Sequence, residues 1–188
     1  IWLAKRKMRN KYQKLIDSRN TDLWNEVLKN FKIVLEKSPE KSYITSYDED
    51  VIRIKIDEEN INSAYFTHEL LHLYLKIRNI LIANDLSNKI KENNKLFYVF
   101  SDSLKGHVAH CLEHVKMLPL FLERGFDNKL FVGDFNQKIL KDDKFSEIKK
   151  SYSAQGVLNQ KAVDVVIGKF FSMKASNNPR FNYDKYFI

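Results

Sequence analysis

Cysteine is almost missing from this chain: Cys111 is the only one among 188 residues. No intramolecular disulfide can form, which excludes the stapled scaffolds of small extracellular proteins and points to a reducing compartment, the cytosol. Glycine and proline are also scarce, at five and three. That excludes a chain of tight hairpins or a low-complexity linker, and favours long helices joined by polar loops. Nowhere does an apolar run reach 18 residues, so no segment reads as a membrane span. The chain opens on Ile1 and not on Met, which leaves room for upstream residues, a signal or membrane segment among them. There is no internal repeat.

What is present is enough for a core. Apolar residues make up 44% of the chain and aromatics 13%, the material of one compact domain spanning residues 1–188. The formal charge of +8 attracts phosphate backbones and anionic surfaces by field alone. Because Lys, Asn and Ile are abundant together along the whole chain, this reads as a general bias and not as a dedicated nucleic-acid patch.

Patterning divides the domain into N-terminal helices (1–38), a strand and helix core (42–124) and a C-terminal helical part (135–188). Residues 1–17 read as a basic helix. Residues 18–39 read as a second, capped by Thr21, with Leu23, Val27, Phe31, Val34 and Leu35 on its apolar stripe and Pro39 as its stop. Between residues 42 and 57, Ile52, Ile54 and Ile56 alternate with Val51, Arg53 and Lys55, which predicts a hairpin or two strands of a small sheet. From Asn60 the period becomes helical, with Asn62 or Ser63 as cap and Phe66, Leu70, Leu73, Ile77 and Ile80 on one stripe. Tyr65, Leu71, Tyr74, Leu75 and Leu81 make the other sides apolar too, the mark of a buried central helix. Residues 83–95 read as a polar connection, and 97–123 as a long helix broken or kinked near Pro119. A turn region follows at 125–135, then helices at 135–150 and 157–174, and an irregular aromatic tail. The expected class is α+β, mostly helical, with a small hairpin or sheet packed on the buried helix.

That buried helix carries chemistry. In "FTHELLHLYL", His68 and His72 lie four apart, one turn of a helix, so both imidazoles leave the same face and can reach one Zn²⁺ at about 2.0–2.1 Å. Glu69 is rotated by about 100°, too far to ligate with them but placed to take a proton from a water made acidic by the metal. This is the H-E-x-x-H logic of a metallopeptidase. With five His and eleven Glu in the chain, the pattern arises by chance in on the order of one such chain in a hundred. The other reading is a core helix whose polar residues are merely hydrogen-bonded.

Residues 51–77, a strand and then the helix with His68-Glu69-Leu70-Leu71-His72, resemble the zincin peptidases. The resemblance covers about a quarter of the chain. It implies zinc held by the two His, Glu69 as general base, a preceding strand that lines the cleft where extended peptide adds to the sheet edge, and a peptide or protein substrate. The metzincin branch does not fit, because its Gly and last His positions hold Leu75 and Arg78 here.

A third ligand must come from elsewhere. The remaining histidines, His107, His110 and His114, cluster within eight residues. At 100° per residue His107, Cys111, His114, Leu118 and Phe121 share one side, which favours His114 as ligand, with His107 or His110 as its supporting partners. The gluzincin-like pattern implies a downstream Glu instead, and Glu113 is the matching residue. His110 is a further alternative. Cys111 reads as a small buried hydrophobe, Tyr65, Tyr74 and Tyr98 as candidate oxyanion donors, and Trp2 and Trp24 as packing residues. The sequence thus favours a zinc peptidase. A non-catalytic binding or regulatory protein on a zincin scaffold and a basic nucleic-acid-associated protein are the alternatives.

Overall fold

The computed structural model describes residues 12–48, 50–133, 146–148, 150–151, 153–154 and 157–180. The fold is α+β, mostly helical, with one three-stranded sheet and a two-stranded ribbon. The chain divides into two compact units, Ile1–Ile80 with Pro119–Phe131, and Leu81–Leu118 with Val132–Ile188. Among the described residues no helix is long and apolar enough to cross a membrane.

In the first unit a 3₁₀ turn, Gln13–Leu15, leads into helix α1, Thr21–Asn30. Most of the basic helix expected over 1–17 lies outside the described residues; its end is this short turn. Strands β1 (Lys32–Lys37), β2 (Ile44–Asp48) and β3 (Val51–Ile56) follow. The expected helix over 18–39 is therefore wrong beyond Asn30. Phe31, Val34 and Leu35 fit a helical stripe, but Lys32–Lys37 pairs in parallel with β3, Ile33 opposite Ile52 and Leu35 opposite Ile54. The β-branched Ile-Val pair suits that pleated surface. Nor does Thr21 cap α1: the N-cap is Asn20, while Thr21 Oγ1 donates to the Asp17 carbonyl at 2.6 Å.

β2 and β3 form the predicted antiparallel pair, giving the order β1-β3-β2. The strand that precedes the helix carrying His68 and His72 is thus the central one, and β1 and β2 are the edges, so a cleft at a sheet edge would be lined by one of those two and not by β3. Ile52, Ile54 and Ile56 are buried, and register places Ile33, Leu35, Thr45 and Tyr47 on their face. On the opposite face Arg53 pairs with Glu36 and Asp48.

Helix α2, Ser63–Ile77, begins where expected, with Asn62 Oδ1 accepting from the Ala64 amide. Phe66, Leu70, Leu71, Leu73 and Leu75 are all buried. Phe66 packs on Trp24 with ring centroids 5.4 Å apart, and Phe121 stacks on Phe126 and meets the Phe131 ring at a tilt.

Asn20 ties these elements together. It is 0% exposed; its Oδ1 accepts from the Asp17 amide, and its Nδ2 donates to the Leu15 carbonyl and to Thr67 Oγ1 on α2. Asn20→Ala leaves those groups buried without partners, and is expected to cost about 2–4 kcal/mol of stability in urea denaturation.

Beside it, Asp17 accepts from the Arg19 amide and guanidinium, and that guanidinium also donates to Ser63. The Arg19 bond is the main reason the Asp17 carboxyl lies at about 2, below its ordinary 3.8. A depressed carboxyl adds stability above the unfolded value and loses it as pH falls toward the folded one. Asp17→Asn should therefore melt below wild type at pH 6, with the two melting temperatures converging between pH 4 and pH 2. The effect is small, because the pair is partly solvated.

The second unit contains α3 (Ile82–Lys91), α4 (Asn94–Val99), most of α5 (Asp102–Glu123) and α6 (Gln160–Ser176). The polar connection expected over 83–95 is helical instead. Only Ile90 of α3 is fully buried, so the apolar signal there was thin. The long helix begins at Asp102 and not near 97, and it continues through Pro119 without a break. Leu104, Val108 and Val163 form the local core. Ser101 Oγ accepts from the Leu104 amide and donates to Asp164, and Gln160 donates to both Asp164 and the Val99 carbonyl. Strands β4 (Ser153–Ala154) and β5 (Val157–Leu158) pair antiparallel, so α6 starts three residues later than the helix expected from 157. Most of the helix expected over 135–150, and the tail from Phe181, lie outside the described residues.

Candidate metal centre

Four-residue spacing on α2 brings His68 and His72 together as predicted. Their Nε2 atoms are 3.2 Å apart. Two ligands at about 2.0–2.1 Å from a tetrahedral zinc lie roughly 3.3 Å from each other, so this pair has the edge length of such a site. The His68 ring also rests on Phe131, centroid to centroid 4.9 Å, which limits its rotation.

Glu69 is only 8% exposed. Burial pushes its carboxyl above the ordinary range, opposed by a hydrogen bond from Thr45 and by the nearby His72. The Thr45 bond is short, Oγ1 to Oε2 at 2.6 Å. Sequence reasoning missed this residue. The signal available was its place in the β2 alternation, in register with Ile54, where a hydroxyl stands among apolar side chains. Farther along the same faces, Lys76 Nζ lies over the Tyr47 ring at 3.2 Å, so β2 runs alongside the helix stretch that carries Glu69 and His72.

In the second unit the three later histidines have different surroundings. His114 is 8% exposed, Glu113 is half-buried and His110 is exposed; the His110 and His114 rings are 4.1 Å apart. His107 Nε2 lies 3.1 Å from the Gly168 carbonyl and 3.0 Å from Ser172 Oγ, with Cys111 Sγ at 3.6 Å. Gly168 makes this approach feasible: a Cβ there would sit 3.3 Å from the His107 ring. His107 thus clamps α5 to α6. Cys111 is buried, as expected of a small hydrophobe.

Of the tyrosines considered as oxyanion donors, Tyr65 packs on Tyr43, Tyr74 lies under Arg78, and Tyr98 is largely exposed. Trp24 is a core residue, and Trp2 lies outside the described residues.

Two imidazoles set one turn apart offer two nitrogen donors that could reach one divalent metal, beside a buried carboxylate hydrogen-bonded to Thr45. Set against family models, curated proteins and solved structures, the chain matches none of them.

Proposed function

We propose that this chain is a zinc-dependent peptidase of the zincin type, gluzincin-like, in which His68 and His72 hold the metal and Glu69 is the general base. The observation that carries the reading is the 3.2 Å separation of the two Nε2 atoms beside the buried Glu69 carboxylate. For the third ligand we favour His114. His114 is buried on its helix, and imidazole is a common zinc ligand. Of the alternatives, His110 is exposed and Glu113 only half-buried, a wetter setting for a catalytic ion.

Zinc held there would act as a Lewis acid on the scissile carbonyl and make water acidic near neutral pH. The chain's own part is to hold and move a proton. Glu69 takes it from the attacking water and delivers it to the departing amine, so that peptide and water become carboxylic acid and amine. The raised affinity of its buried carboxyl for protons suits that exchange.

Elemental analysis tests the reading. After zinc reconstitution and dialysis, wild type should hold one zinc per chain and His72→Ala less than a tenth of that. A His72→Ala protein with its full complement of zinc would sink the proposal.

A further inference from the structure

We propose that Thr45 is the positioning residue for Glu69, its hydroxyl selecting which carboxylate oxygen carries the proton; this rests on the peptidase reading above. The bond from Thr45 Oγ1 to Glu69 Oε2 is 2.6 Å long, the length of a charge-assisted contact. Thr45 stands opposite the fully buried Ile54, so its side chain leaves the helix-facing side of the sheet. A β-branched side chain has few χ1 choices, which means the strand sets the direction of the hydroxyl. Glu69 has three rotatable bonds, and one short bond from a stiff donor removes much of that freedom. With Oε2 engaged, Oε1 is the atom that accepts the proton and returns it.

Packing does not explain the threonine. Ile33, Leu35, Ile52 and Ile56 share its face, and valine there would suit both strand and core. Among the described residues the hydroxyl's hydrogen-bond partner is the Glu69 carboxylate.

The test uses the zinc-loaded chain and a quenched-fluorescence mixture of short peptides. Thr45→Val should lower kcat about 10- to 100-fold, the scale of a misplaced catalytic group, with KM within twofold and zinc still at one per chain. Thr45→Ser should recover kcat to within about threefold, since it restores the hydroxyl. In the Glu69→Gln background, Thr45→Val should cost less than about twofold more, because both changes act through one group. Undiminished kcat in Thr45→Val overturns the proposal and leaves the peptidase standing, as does a Thr45→Ser variant impaired as badly as valine. A wild type that holds zinc and cleaves no peptide overturns both. A readout without turnover is available in the metal-free protein: stability changes of Thr45→Val and Glu69→Ala, each of which removes the hydrogen bond, that add independently would show the two side chains do not interact, and end the proposal on their own.

Discussion

Glu69→Gln is expected to lower kcat for peptide hydrolysis by about 10²- to 10⁴-fold, the usual contribution of a general base, while zinc stays at one per chain. Glutamine keeps the size and the hydrogen-bonding oxygen of the side chain but cannot take the proton. Loss of activity through misfolding can be told apart from loss of chemistry, because the two predict opposite stability changes. Burial holds the Glu69 carboxyl above its ordinary 4.5, so above that pH the folded, metal-free chain binds more protons than the unfolded one. Its stability then falls as pH rises through this window. The glutamine variant lacks that loss. Metal-free Glu69→Gln should melt at or above wild type at pH 7, with the gap closing toward pH 4. Full peptidase activity in this variant, with zinc bound, would remove the mechanism outright.

Phe66→Ala should destabilise the first unit by about 3–5 kcal/mol, the cost of emptying a fully buried aromatic site. Phe66 is 0% exposed and packs on Trp24, on the side of α2 that anchors the helix to α1. Phe97 provides the contrast. It is 53% exposed, and Phe97→Ala should change stability by no more than about 0.5 kcal/mol. Urea denaturation with an unchanged m-value checks both; a Phe66→Ala midpoint equal to wild type would mean that the α1–α2 packing contributes little.

The elements legible in the sequence are those with one unambiguous period. Ile52, Ile54 and Ile56 alternate with half-buried neighbours, two of them charged, and β3 is a strand with those three isoleucines buried. Asn62 precedes a helical run and caps α2. Errors occurred where two periods fitted the same letters or where the apolar signal was thin. Phe31, Val34 and Leu35 satisfy a helical stripe and a strand almost equally, and what decided between them was the parallel ladder to β3, a partner some twenty residues away. Ile82, Leu86 and Ile90 form so narrow a stripe among polar residues that α3 read as a connection. α5 runs through Pro119 although an interior proline removes one backbone hydrogen bond and crowds the carbonyl four residues back, so the residue alone does not end a helix.

The same division runs through the candidate site. One helical turn separates His68 from His72, so their shared face and close nitrogens follow from backbone geometry that residues 63–77 adopt together; the sequence alone determined that much. Which carboxylate oxygen of Glu69 is engaged, and by what, depends on the β2–β3 register that delivers Thr45 from 24 residues away. Likewise, His107 turned to Gly168 and Ser172, 61 and 65 residues on, because a glycine on α6 admits its ring. Helical spacing is a local property of the chain, whereas strand register and helix contact come from burying distant surfaces against each other, and only the tertiary structure decided those.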